Sequence, residues 1–169
     1  MIVVAAYNAP GQRTVSEVLT KFSEGPQTGI FTDGGSVPNP GPGGWGFVHV
    51  EAGEIVEQRH GHENMTTNNR MELTALIEAY RYIETEQEIT VHTDSQLCVN
   101  TINQWATMWE KRGWRRKGGE IKNLDLIQTL YALSKERPGV TLTWVRGHAG
   151  WLWNEYADAL AGAWMRDEL

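Results

Sequence analysis

Two short runs, Gly29-Ile30-Phe31-Thr32-Asp33 and Thr90-Val91-His92-Thr93-Asp94, echo each other: each looks extended, and each halts on a Thr-Asp pair. Runs this short, bounded by turn-compatible residues, read as buried strands. Gly34-Gly35-Ser36 follows one and Ser95 the other. If the two strands lie side by side, their carboxylates meet at the strand ends, where open sheets receive ligands. Two carboxylates that close repel unless a proton or a metal cation sits between them.

The remaining pattern defines the sheet. The first strand leads into a loop with Pro38, Pro40, Pro42 and five glycines between Gly34 and Gly44, which excludes helix. Residues 45–50 and 54–60 alternate around Gly53, as a hairpin does. Residues 69–84 carry Met71, Leu73, Leu76, Ala79, Tyr80 and Ile83 at spacings of three and four, with Glu72 in the opening turn of the helix they predict. A second helix begins near Ser95, a suitable N-cap, and passes Leu97, Val99, Ile102 and Trp105 before a basic segment interrupts it. Residues 123–134 read as a helix, 140–145 as a strand and 153–164 as a last helix. The order βββαβααβα predicts an α/β fold with a mixed five-stranded sheet, three antiparallel strands plus two parallel, and helices on both faces.

A chain of 169 residues suits one domain. Residues 1–26 read as an N-terminal extension of uncertain order that opens on the apolar run Ile2-Val3-Val4-Ala5-Ala6-Tyr7, and residues 27–169 as the domain proper. One cysteine, Cys98, leaves no internal disulfide, and no secretory or membrane-spanning pattern is visible, so the expected location is cytoplasmic, with no membrane partner. The net charge of −6 conceals a reversal: Lys111, Arg112, Arg115, Arg116, Lys117 and Lys122 face only Glu110 and Glu120, a local +4 that leaves −10 elsewhere. A basic segment on an acidic body offers a phosphate backbone one docking side; the competing reading is a solvated loop.

Of the five aspartates, Asp33, Asp94 and Asp158 have no evident structural duty, whereas Asp125 and Asp167 read as helix-surface and tail residues. With Glu72 they make four carboxylates at the ends of separate elements. Such hard oxygen ligands suit magnesium or manganese, and no Cys/His cluster suggests zinc. A magnesium pair can activate water and stabilise the leaving oxygen of a phosphodiester, which makes the cluster a nuclease hypothesis. His148, in Arg146-Gly147-His148-Ala149-Gly150, sits in a glycine-flanked loop where an imidazole can carry protons near neutral pH.

These residues resemble the type 1 ribonuclease H family from Thr28 to Trp164. The likeness runs through Thr32-Asp33-Gly34-Gly35-Ser36, Asn39-Pro40-Gly41-Pro42-Gly43-Gly44-Trp45-Gly46, Thr67-Asn68-Asn69-Arg70-Met71-Glu72-Leu73, Thr93-Asp94-Ser95-Gln96, Lys111-Arg112-Gly113-Trp114 and Gly147-His148-Ala149-Gly150 with Asn154 and Asp158. The resemblance implies a monomeric endonuclease that cuts the RNA strand of RNA/DNA hybrids without sequence specificity, using two Mg2+ ions with Mn2+ as a substitute. It implies Asp33 as bridging metal ligand, with Glu72, Asp94 and Asp158 completing the shells and His148 moving protons. It places the Gly34 backbone with Asn39, Asn68, Glu72 and Gln96 on the RNA side, where amides can sense a 2′-hydroxyl. It places Asn69, Trp105 and Trp109 along the DNA strand, Thr67 and Asn123 at a DNA phosphate, and Lys111, Arg112, Trp114, Arg115, Arg116 and Lys117 in a basic protrusion. Asn154 joins the substrate-binding set. For Trp105 and Trp109, packing at i and i+4 stays open as an alternative. Met65 stands where relatives often place a basic residue, and Trp151 and Trp153 bring bulk to the loop after His148. A DNA-cutting relative would have no use for the amides, and a noncatalytic binding module would lack a carboxylate.

Overall fold

The computed structural model describes residues 12–169, so the apolar opening at residues 2–7 lies outside the described residues. Strands β1 (Gly29–Ser36), β2 (Gly41–Glu51), β3 (Glu54–Thr66), β4 (Ile89–Thr93) and β5 (Val140–Trp144) form one sheet in the order β3-β2-β1-β4-β5. β2 pairs antiparallel with β1 and with β3, while β4 pairs parallel with β1 and with β5, the mixed five-stranded sheet that the pattern predicts.

The structure corrects one expectation: Asp33 does not end its strand. Parallel pairing of β1 with β4 stops at Thr32↔Thr93, but antiparallel pairing with β2 continues through Asp33↔Gly46 to Ser36↔Gly43. The glycines expected in a loop are therefore largely strand, and residues 37–40 alone make the connection. Both aspartates still lie just past the point where the two parallel strands part company.

Strand alternation builds two cores. Ile30 and Phe47 face one side, packed with Leu76, Tyr80 and Leu130 of α2 (Asn68–Tyr82) and α5 (Leu124–Lys135). Phe31, Val48 and Val50 face the other, packed with Tyr156 and Leu160 of α6 (Leu152–Ala161) and Val18 of α1 (Val15–Lys21). Successive side chains on a strand point to opposite faces, so one apolar run serves both layers. Between the layers the backbones come unusually close. A Cβ on Gly34 would lie 2.3 Å from the Met71 carbonyl carbon, and one on Gly46 would lie 2.5 Å from Leu160 Cβ. These contacts seat α2 and α6 directly on the sheet.

The helical rod after β4 is continuous but not uniform: α3 (Gln96–Asn100), a π-helical turn (Thr101–Trp105) and α4 (Ala106–Lys111) follow without a break. Ser95 caps it by accepting the Cys98 N–H at 3.1 Å. Gly113 and Trp114, both at positive φ, end the rod and turn the chain into the basic segment. Among the described residues no helix is long and apolar enough to cross a membrane.

Candidate active site

Each carboxylate reaches the centre from a different element. Asp33 comes from the extended half of β1, Asp94 from the residue after β4 and Asp158 from α6, while Glu72 lies one turn further into α2 than its expected place in the opening turn, because the helix already begins at Asn68. The Gly34 contact carries Glu72 across, because the atoms it abuts belong to Met71 and Glu72 themselves. Asp33, Glu72 and Asp94 offer ligand oxygens within 4.8 Å of one another. Asp158 lies near enough to Asp33 for its charge to raise the Asp33 carboxyl. Asp33 Oδ1 accepts the Gly34 N–H at 2.9 Å, and the Trp144 indole N–H donates to the Asp94 carbonyl at 3.1 Å, which fixes the backbone beneath each acid.

This crowding is electrostatically unfavourable on its own. Burial, reinforced by Asp94, Asp158 and Glu72, holds the Asp33 carboxyl well above the usual carboxylate range. Burial and then Asp94 push Glu72 up to about 8. Asp94 is raised chiefly by burial and then by Asp158, against the lowering influence of His148. Asp94 Oδ1 is buried without a hydrogen-bond partner. A set of crowded hard oxygens with one acceptor unsatisfied fits a divalent cation such as magnesium or manganese, which would supply the positive charge the protein withholds. The residues that could hold it are Asp33, Glu72, Asp94 and Asp158.

His148 lies beside this cluster in the loop before α6, half exposed and at φ 54°. Its Nδ1 is 3.4 Å from Glu155 Oε1, and Glu155 is 3% exposed with its carboxyl pKa raised by burial. His148, Glu155 and Asp158 also bring ligand atoms within 4.8 Å of one another. Glu155 is absent from the sequence-based site because a glutamate on a terminal helix reads as a surface acid. Its spacing, three residues before Asp158, was the available signal.

Two concavities extend the centre. A cleft of about 180 Å³ is lined by Asp33, Asp158, Gly34, Ser36 and Asn68. There the amide oxygens are already engaged: Asn68 Oδ1 accepts the Ser36 N–H at 2.8 Å, and Asn39 Oδ1 accepts the Asn68 N–H at 3.1 Å. What remains to each amide is its NH2 end, a donor. Gln96 is exposed in the first turn of α3. A larger groove of about 460 Å³ joins Asn69, Trp105, Trp109, Arg112, Arg116, Lys117 and Asn123 along its walls. Trp105 and Trp109 touch, ring centroids 6.0 Å apart, and both are half-buried, so packing and groove lining coexist.

Other expected contacts fall elsewhere. Lys111 and Arg115 are exposed and outside the groove lining. Trp114 turns inward, edge-on to Tyr131 at 5.9 Å, because its left-handed backbone directs the ring onto α5; it anchors the basic segment rather than lining the groove. Asn154 is 4% exposed, so its burial does not suit direct contact with a ligand. Thr67 serves as the N-cap of α2, accepting the Arg70 N–H at 3.2 Å. Arg70, an ordinary helix cation by sequence, reaches Asn123 Oδ1 at 3.4 Å and grips Asp125 with both nitrogens, at 3.1 and 2.9 Å. It thereby joins Thr67 and Asn123 into one corner, and Asp125, on the helix surface as expected, is its exposed ion-pair partner.

The family model for RNase H matches residues 25–166. The chain is 46% identical over 150 residues to Ribonuclease H of Bordetella pertussis, covering 87% of this chain and 94% of that protein. It is 47% identical over 143 residues to Ribonuclease H of Methylorubrum extorquens, covering 85% of this chain but 62% of that longer protein. Among solved structures, LC9-RNase H1, a type 1 RNase H with the type 2 active-site motif, superposes with a TM-score of 0.67 at 37% identity, covering 82% of this chain and 72% of the other. With most of its length matched and these relatives alongside, the chain belongs to the ribonuclease H family of nuclease hydrolases.

Proposed function

We propose that the chain is an endonuclease that hydrolyses the RNA strand of RNA/DNA hybrids by two-metal-ion catalysis, without sequence specificity, leaving 3′-hydroxyl and 5′-phosphate ends. The observation that carries this reading is the convergence of Asp33, Glu72 and Asp94, with Asp33 and Asp158 also lining a cleft that holds Asn68. Two magnesium ions bound there would polarise the scissile phosphate, lower the pKa of the attacking water and neutralise the departing 3′-oxygen. The protein does the rest. Asp33, Glu72, Asp94 and Asp158 bind the cations, while His148, steadied through Nδ1 by Glu155, offers its other ring nitrogen to move a proton at the reacting oxygens. The NH2 ends of Asn39 and Asn68, with Gln96, supply donors and acceptors for 2′-hydroxyls. Trp105 and Trp109 offer flat apolar walls to deoxyribose, and Arg112, Arg116 and Lys117 attract the DNA phosphates. Contacts to sugars and phosphates alone carry no base information, which accounts for cleavage at any sequence.

The test compares matched RNA/DNA, RNA/RNA and DNA/DNA duplexes with magnesium or with chelator, for the unaltered protein and for Asp33→Asn. Cutting confined to the RNA of the hybrid, dependent on magnesium and lost in Asp33→Asn, is the expected result. Equal cutting of DNA/DNA, or activity that survives the chelator, refutes the proposal. Monomeric behaviour is expected by light scattering, since one chain carries the whole cluster.

A further inference from the structure

The loop bearing His148 is held at its far end by residues that precede the sheet. Glu24 and Trp151 form an isolated parallel bridge, and the Leu152 N–H donates to the Glu24 carbonyl at 2.8 Å. Gly25, at φ +93°, lies directly under the Trp151 indole: a Cβ there would come within 2.6 Å of Trp151 Cγ. Gln27 Oε1 then accepts the Trp153 indole N–H at 3.0 Å. Before α1, Arg13 Nη1 lies 4.0 Å from Glu155 Oε2, with its guanidinium 5.4 Å over the Phe22 ring. The other oxygen of Glu155 is the one facing His148. α1 itself is docked by Val18, 1% exposed, and by the Val15 N–H to the Leu169 carbonyl at 3.2 Å. Residues 12–27 thus cross the start of α6, meeting the His148 loop at its far end through Trp151 and reaching Glu155 on the helix, and residues 12–24 precede the stretch matched by the family model.

We propose that residues 12–27 are a positioning strap for His148, acting through two contacts: Gly25 against Trp151 sets the anchor of the loop, and Arg13 orients the buried Glu155 carboxylate that receives the imidazole. A buried carboxylate with a cation at one oxygen has a defined direction for the other, and without that cation the direction is no longer fixed. The bulk of Trp151 and Trp153, unexpected beside a moving loop, is what the strap grips. The inference rests on the proposed proton-carrying role of His148. It makes the strap part of turnover, not merely of stability, because a small displacement of a proton carrier slows the step it serves.

The experiment uses the full chain carrying Arg13→Gln, Arg13→Lys or Gly25→Ala, each with and without His148→Ala, and measures kcat and KM on an RNA/DNA hybrid at saturating magnesium. Arg13→Gln and Gly25→Ala are expected to lower kcat about three- to tenfold with KM unchanged. Arg13→Lys should recover most of the loss, and neither variant should lower kcat further once His148 is alanine. Equal fold-losses in both backgrounds, or effects confined to KM, overturn the strap while leaving the role of His148 intact. A His148→Ala protein as active as the parent overturns both. Arg13→Gln alters a residue outside the core, so it answers the question even if Gly25→Ala fails to fold.

Discussion

Replacing Glu72 with glutamine should make the metal-free protein more stable while disabling it. In the unfolded chain Glu72 titrates near its ordinary value of 4.5, and in the fold burial and Asp94 raise it to about 8. At pH 7 the unfolded state is therefore ionised while the folded state must retain a proton, an imbalance that disfavours folding. Each pH unit above 4.5 contributes about 1.4 kcal/mol, so the full penalty at pH 7 is about 3 kcal/mol. Coupling to the neighbouring acids and the partial exposure of Glu72 reduce it to about 1–3 kcal/mol. The sign follows: this acid has its folded pKa raised, so its destabilisation is absent below about 4.5 and grows as pH rises toward 8. Glu72→Gln removes the imbalance. Denaturant melts in chelator should show the variant more stable at pH 7, with the gap shrinking to less than about 1 kcal/mol at pH 5. Added magnesium should stabilise the parent more than the variant, because the cation binds only the native cluster. A variant no more stable than the parent at pH 7 in chelator, or a gap that does not change with pH, would refute the electrostatic account.

Neutralising Arg112, Arg116 and Lys117 together should weaken hybrid binding and flatten the plot of log affinity against log salt by about two to three, given roughly 0.9 for each phosphate no longer neutralised; an unchanged slope removes the groove from the DNA path. His92, stacked on Phe31 with ring centroids 4.4 Å apart, has its pKa lowered to about 4 by burial. Its contribution to stability is complete above pH 6.5 and declines as pH falls toward 4, by at most about 3 kcal/mol, so His92→Leu should remove that part of the acid dependence in denaturant melts. Gly34→Ala should cost about 2 kcal/mol or more and lower activity together, since its Cβ would displace the Met71–Glu72 backbone; a melt within about 0.5 kcal/mol of the parent contradicts the close approach.

The residues that could be read from the sequence are those whose duty follows from local pattern. Strand alternation around Phe31 and Phe47, helical spacing from Met71 to Ile83 and the Ser95 cap each express a preference of a few neighbouring residues, and together they place Asp33, Asp94 and Glu72 near one another. The exceptions depend on backbone or burial that no short window encodes. Asp33 reads as the close of its strand because Gly34-Gly35-Ser36 resembles a turn, yet pairing with β2 keeps those residues extended. Trp114 has the look of an exposed aromatic among cations, but a positive φ turns it onto Tyr131. Glu155 and Arg70 are ordinary helix residues by type, and only the packing of α6 behind the loop and of α2 beside α5 gives them partners.

The π-helical turn at Thr101–Trp105 has a consequence for how the two halves of the molecule are geared together. An α-helix advances about 100° per residue, so a single extra residue accommodated in one turn rotates everything downstream by roughly that angle. Upstream of it, the rod is phased to bury Cys98 and to leave Ser95 and Gln96 beside Asp94; downstream, it is phased to bury Ala106 and present Trp109 and Arg112 to the groove. Neither phase follows from the other in an uninterrupted helix. The turn works as a clutch: deleting one residue within it would leave four carboxylates and a basic segment intact but swing the second out of line with the first, so that a duplex could engage one or the other and not both.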